Sequence, residues 1–292
     1  MACGCKKQTV ATSSNSEPNS GISNVSAEVS QTENRGSTIE QSGSNIDSKT
    51  AQEDGEWGSF KGRIIVDGDV GDAKELTVDK DAAFCLRDGR KIYDRSLVVG
   101  EGGELKNAFV MIYLRSLEEP MKVHPSYKKA FEQPIVLDNK DCQFEPYCAV
   151  VRKGQKVVFK NSDEVGHNVR VTGEDPKNKS VPSNDSLEVS FDEVDSLPAD
   201  VECNIHPFMK GNLIVREEPY LAITNEKGEF EIKNIPAGTW NFQFWHKRAG
   251  YLRKMTKDGE TFLERRGNAD FEIKSGETLD LGDLKISAEA FE

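Results

Sequence analysis

The seven residues Cys203-Asn204-Ile205-His206-Pro207-Phe208-Met209 place a thiol, an imidazole and a thioether in one short stretch. A second imidazole, His167, lies upstream in Asn161-Ser162-Asp163-Glu164-Val165-Gly166-His167-Asn168-Val169. Two imidazoles and a thiolate in a trigonal set, completed by a thioether at longer range, are the donors of a type 1 (blue) copper centre. Thiolate and thioether stabilise Cu(I) and imidazole suits Cu(II). A geometry between the two preferences lets an electron come and go with little reorganisation. The candidate ligands of one copper ion are therefore His167, Cys203, His206 and Met209. A Cys-x-x-His pair also occurs in zinc sites, but zinc recruits further Cys or His ligands and leaves a Met at loop distance without a purpose. The chain has only 4 histidines, too few for the trinuclear cluster of an oxygen-reducing multicopper enzyme. His124 precedes a proline in a polar stretch and His246 ends an aromatic strand, so both read as ordinary surface or hydrogen-bonded histidines. Residues 221–286 show no catalytic triad or paired acids in a motif and read as scaffold or docking surface, and the expectation for the chain is a non-enzyme.

Donors from two separated stretches need rigid strands to hold them. Val and Ile recur in short bursts between Gly, Asp, Asn and Pro turn signals, and no long stretch has a 3.6-residue apolar period, so the fold class is all-β. A first group of expected strands covers 61–67, 96–99 and 107–114. A second runs through 134–137, 147–151, 155–161, 167–172, 186–191, 200–203 and 212–216, enough for one sandwich. A third comprises 221–224, 229–233, 239–246, 270–274 and 279–286. Here Trp240, Phe242 and Phe244 alternate with Asn241 and Gln243, the pattern of a strand with one face in a core. Residues 1–56 are rich in Ser, Asn, Thr and Glu and hold no aromatic residue, which predicts a disordered linker.

The stretch 141–215 resembles the small cupredoxins, the amicyanin group most closely. The resemblance rests on Phe144-Glu145-Pro146, the Gly154-Gln155 turn, Asn161, His167-Asn168-Val169 and His206-Pro207-Phe208-Met209-Lys210-Gly211. The two residues between His206 and Met209 make a loop shorter than in plastocyanin. The resemblance implies a Greek-key β-sandwich and gives the four candidates their ligand roles. It also implies that Asn168 ties the two ligand loops together with its N–H near the Cys203 sulfur, and that the exposed edge of His206, ringed by Pro207 and Phe208, passes the electron.

Residues 221–286 resemble the carboxypeptidase regulatory-like, transthyretin-like sandwich, through Ala222-Ile223-Thr224-Asn225-Glu226-Lys227-Gly228-Glu229-Phe230-Glu231-Ile232 and Asn234-Ile235-Pro236-Ala237-Gly238-Thr239-Trp240. Two strands that normally open that family stand here on the far side of the cupredoxin, at 62–66 and 107–113. The expected organisation is thus a linker over 1–56, first sandwich strands over 57–120, a copper domain over 121–217 inserted in the sandwich, and the rest of the sandwich over 218–292. A tandem of separate units is the alternative.

A net charge of −12 and a pI near 5.0 speak against nucleic acid, whose binding needs clustered Lys and Arg. No apolar run approaches the roughly 20 residues of a membrane span. Met1-Ala2-Cys3-Gly4-Cys5-Lys6-Lys7 resembles the tail of a bacterial lipoprotein signal without its hydrophobic stretch, so Cys3 is either a lipid anchor or half of a chance Cys pair. If the protein is exported, as blue copper carriers usually are, Cys85 with Cys142 is the first choice of disulfide, leaving Cys148 as a small buried hydrophobe. The alternative is three free thiols, since sequence does not fix the pairing. The expected function is single-electron transfer in the periplasm or cell envelope, the acidic surface favouring a basic partner such as a c-type cytochrome. Copper capture, trafficking or sensing would use the same ligands. A structural module with a vestigial site would have lost one of them.

Overall fold

The structure is a computed structural model that describes residues 56–292 apart from 114, 116, 118, 119 and 264. Except for Glu56, the expected linker over 1–56, with Cys3, lies outside the described residues. The described chain is strands with little helix. β1 (Trp57–Asp67) is followed by one turn of helix, α1 (Ala82–Cys85), and by β2 (Phe109–Ile112). A second short helix, α2 (Lys128–Glu132), precedes β3 (Ile135–Lys140), β4 (Gln143–Glu145), β5 (Cys148–Arg152), β6 (Val157–Asn161) and β7 (His167–Val171). Then come β8 (Lys177–Val181), β9 (Ser186–Val189), β10 (Ala199–Glu202) and β11 (Lys210–Arg216). The last part holds β12 (Leu221–Ile223), β13 (Glu229–Pro236), β14 (Gly238–His246), β15 (Gly250–Tyr251), β16 (Thr256–Lys257), β17 (Glu260–Thr261), β18 (Asn268–Ile273) and β19 (Thr278–Ser287).

Strands β3 to β11 form two sheets that enclose one core. The order β4-β3-β6-β9 faces β5-β11-β10-β7-β8, with β3 and β6 parallel and β5 and β11 parallel. Alternate residues point inward, so Phe144, Val157, Phe159, Val169, Val171, Val201, Leu213 and Val215 fill the space between them. β8, absent from the expected strands, is an edge strand whose one buried side chain is Val181. Its lysines blunt that edge against further pairing and hide the strand from an apolar pattern. The expected strand at 96–99 reduces to a bridge between Val99 and Leu105.

The other two sheets are completed by strands that precede the first sandwich in the chain. β1 lies between β13 and β19, and β2 between β12 and β14. The Phe60 ring stacks on Phe242 with centroids 4.2 Å apart, at the centre of a core that includes Ile64, Val110, Ile112 and Ile232. All four residues of β2 are buried. Val110 and Ile112 enter this core, while Phe109 and Met111 turn the other way and pack with Cys148, Ile214 and Trp245. Burial on both faces is why this stretch reads as a continuous apolar run instead of an alternation. The chain leaving β2 meets itself again before β12. Ile112 N–H donates to the Tyr220 carbonyl at 3.3 Å, and the buried Arg216 guanidinium donates to the Ile112 carbonyl at 2.7 Å.

The segment joining β1 to β2 corrects the reading of 57–120 as one block of sandwich strands. Leu76, Val78, Phe84, Leu86 and Ile92 pack on the core of the sandwich that follows, and Cys85 is disulfide-bonded to Cys142. Apolar residues too sparse for strand alternation lie here as a strap, and the disulfide fastens it. Cys148 is a buried free cysteine that packs with Phe109, Met111 and Ile214.

Because β1 and β2 are interior strands of their sheets, a chain of residues 218–292 alone lacks two sheet centres. It should show no cooperative thermal transition, and dispersed amide signals from that fragment would overturn the interdependence. A second expectation concerns His246, which is buried against Phe291 and accepts the Arg248 N–H at its Nδ1. Burial pushes its pKa down to about 4. The unfolded chain takes up a proton near pH 6.5 while the folded chain stays neutral, so this contribution is complete above that pH and fades as pH falls toward 4. About 2 kcal/mol of stability should be lost between pH 7 and pH 5 through this group. Urea unfolding of His246→Gln should show a correspondingly smaller loss, and an equal loss would refute the assignment.

Candidate metal centre

β10 and β11 form an antiparallel pair whose last rung is Glu202 opposite Lys210, and residues 203–209 close it. Within that loop Cys203 N–H donates to the Met209 carbonyl at 3.3 Å, and Met209 N–H donates to the His206 carbonyl at 2.9 Å. β7 runs along the other side of β10, which brings its first residue, His167, beside the loop. Cys203, His206, Met209 and His167 are all buried. The two Nδ1 atoms of His167 and His206 are 3.0 Å apart, and the Cys203 sulfur lies 3.7 Å from His206 Nδ1. One ligand atom from each of these three residues falls within 4.8 Å of the others. Met209 ends the loop in the same core.

Both rings are turned so that Nδ1 faces the sulfur, and in each case a carboxylate holds the far nitrogen. His167 Nε2 is 2.8 Å from Asp163 Oδ2, and His206 Nε2 is 2.9 Å from Asp81 Oδ2. A carboxylate at Nε2 holds a proton there, so that Nδ1 is the nitrogen each ring would offer to a metal. Asp163 also accepts the backbone N–H of Asp141 at 2.6 Å and of Cys142 at 2.8 Å. Burial pushes the Asp163 pKa up, yet the hydrogen bonds from His167, Cys142 and Asp141 hold it below the usual carboxylate range. For His167, burial acts downward and is outweighed by Asp163 and Cys203, which together raise it.

The sulfur is buried, yet its neighbours are polar. Asn168 N–H approaches it at 3.3 Å and His206 N–H at 3.4 Å. Burial alone would raise the Cys203 pKa; hydrogen bonds from the two imidazoles and the two backbone N–H groups bring it down to about 6. Cys148 is the contrast, since burial without such donors pushes its thiol up to about 12. The donors fit a copper ion: one sulfur and two imidazole nitrogens converge in a buried pocket. Asn168 also joins the two ligand stretches, its Oδ1 accepting the Asn204 N–H at 3.1 Å.

Asp163 and Asp81 were not among the residues singled out by sequence. Asp163 had a local signal, four residues before His167 on the same turn, where Asn161 Nδ2 donates to the Val165, Val181 and Pro182 carbonyls. Asp81 had none, since it comes from the strap. That strap also corrects the expected exposed edge of His206. The ring is 0% exposed, covered by Asp81 and flanked edge-on by Phe208. His124 bonds Ser126 and abuts Trp57, and neither it nor His246 reaches the site.

Residues 132–216 match the family model described as copper binding proteins, plastocyanin/azurin family, a span that contains His167, Cys203, His206 and Met209. The sandwich built of β3 to β11 thus has the cupredoxin fold, and the described residues are mostly strand with little helix. Among solved structures, the chain is similar to amicyanin from Paracoccus versutus (Thiobacillus versutus), with 18% identity over 37% of this chain and 97% of that one at a TM-score of 0.26. The reduced Cu(I) form, at pH 4, of a point mutant of amicyanin aligns with 25% identity over 28% of this chain and 82% of that chain, TM-score 0.26. A copper-containing nitrite reductase (NirK) from Thermus scotoductus SA-01 aligns with 22% identity over 29% of this chain, TM-score 0.27, and the match spans only 23% of the reductase. No curated protein matches the chain at a significant level.

In the metal-free protein the thiolate absorbance of Cys203 should therefore rise with a midpoint at pH about 6. Cys203→Ser should remove that step and leave Cys148 silent until strongly alkaline pH. A first thiol step in the ordinary range near pH 8.5 would contradict the hydrogen-bonded thiolate.

Proposed function

We propose that the chain binds one type 1 copper ion through His167, Cys203 and His206, with Met209 as the axial donor, and carries single electrons between redox proteins of the cell envelope. The observation that carries this reading is the convergence of two Nδ1 atoms on a sulfur already disposed to be an anion. Copper would supply the reversible one-electron couple. The chain's own residues do the rest: the hairpin loop fixes three donors, β7 fixes the fourth, and the carboxylates fix which nitrogen each ring presents. Donors held this firmly move little when the charge on the metal changes, which keeps the reorganisation cost of transfer small.

Four protein donors leave no open coordination position for a substrate, which favours a carrier over an enzyme. Burial of all four favours a metal that stays in place over one delivered as cargo. The Cys85–Cys142 disulfide accords with an oxidising compartment such as the periplasm, and Cys3 offers a point for lipid attachment there. A net charge of −12 suits a basic partner such as a c-type cytochrome. The strand pairing supports reading 121–217 as a copper domain inserted in a sandwich made from the flanks.

Adding copper to the purified protein should give an intense blue band from thiolate-to-Cu(II) charge transfer, reversible on reduction and reoxidation. Cys203→Ser should abolish the band while leaving the protein folded. A colourless complex of the native chain, or colour that survives this change, would end the assignment. Passage of copper to a second apoprotein faster than electron exchange would replace the carrier with a trafficking role.

A further inference from the structure

The strap between β1 and β2 reaches the metal centre at one residue. Asp81 stands at the head of α1, where its carbonyl accepts the Phe84 and Cys85 N–H groups at 2.9 and 3.0 Å. Cys85 is bonded in turn to Cys142, and Phe84, Leu86 and Ile92 pack in the core that holds Cys203 and Met209. From this fixed turn the Asp81 carboxylate, itself 34% exposed, meets Nε2 of a ring that is 0% exposed.

We propose that Asp81 is a positioning residue for His206, holding the ring as an Nδ1 donor, adding negative charge beside the copper and taking the place of water at the ring edge. The inference rests on the copper reading above. A carboxylate at Nε2 makes Nδ1 the more basic donor. Its charge also favours Cu(II) over Cu(I), which lowers the reduction potential. Covering the edge removes the most direct contact between that ligand and an approaching redox partner, so the strap sets both the potential of the site and the rate at which electrons pass through His206.

Asp81 has φ 50, a left-handed conformation that Asn tolerates as well as Asp does. Asp81→Asn therefore keeps the turn and an acceptor for the Nε2–H while removing the charge. Asp81→Gly keeps the turn and removes both. In the full chain loaded with copper, both variants should keep the blue band. Asp81→Asn should bind Cu(II) about 10 to 100-fold more weakly with Cu(I) affinity little changed. For a one-electron couple that is a rise in potential of about 60 to 120 mV. Asp81→Gly should show a similar rise and, in addition, faster electron self-exchange, because the ring edge is open. An unchanged potential and unchanged Cu(II) affinity in both variants, with the band intact, would reduce Asp81 to a turn residue and overturn the proposal. Absence of the blue band from the native protein would instead fail the copper reading itself.

Discussion

A buried sulfur disposed to be an anion is the constraint on which the rest of the site depends. An unpaired anion there would be costly, and the chain offsets it with two backbone N–H groups and two imidazoles within hydrogen-bonding reach. Each of those donors comes from a different piece of local geometry. The His206 N–H exists in that position only because the loop after β10 turns tightly back to β11. The Asn168 N–H is available because β7 begins one residue earlier and pairs with β8 through His167 and Val181. Moving either strand by one residue would invert which side chains face the core and take the N–H groups away from the sulfur.

The two imidazoles are held from behind in a matched way, and the disulfide links the two supports. Asp81 anchors His206, and Cys85 donates its N–H to the Asp81 carbonyl. Asp163 anchors His167 and accepts the Cys142 N–H. The Cys85–Cys142 bond thus ties the strap's carboxylate to the loop's carboxylate across a sequence separation of 57 residues. On chain-entropy grounds such a cross-link restricts the unfolded state by about 4 kcal/mol. Its position beside the ligand supports means that this stabilisation acts where an unravelled strap would expose the metal.

Three of the four candidate residues, Cys203, His206 and Met209, stand out in the sequence because they fall in one short loop, whereas His167 lies in a separate stretch. Most strands were visible too, since a half-buried strand writes its burial into every second residue. β8 escaped because an edge strand with four polar positions carries no such alternation. Asp81 escaped for a different reason. The segment around it has no strand period, and its role exists only through a contact with a residue more than a hundred positions later. The exposed His206 edge followed from a resemblance that covers the sandwich alone, whereas the cover comes from residues outside that span.

The pairing of β2 with β12 and β14 has a consequence for how the chain comes off the ribosome. β1 and β2 emerge with their interior positions unfilled, and at about 5–20 residues per second their partners follow only after the whole copper-binding sandwich has been made. Two strands with apolar faces must wait that long without pairing wrongly. The intervening sandwich contains both sheets of its own core, so it has all the strands it needs before β12 appears. Once formed, it offers Cys148 and Ile214 as a surface for Phe109 and Met111, and it brings Tyr220 beside Ile112. The insert then serves the flanking sheets as an internal jig, shortening the loop that the late strands must close.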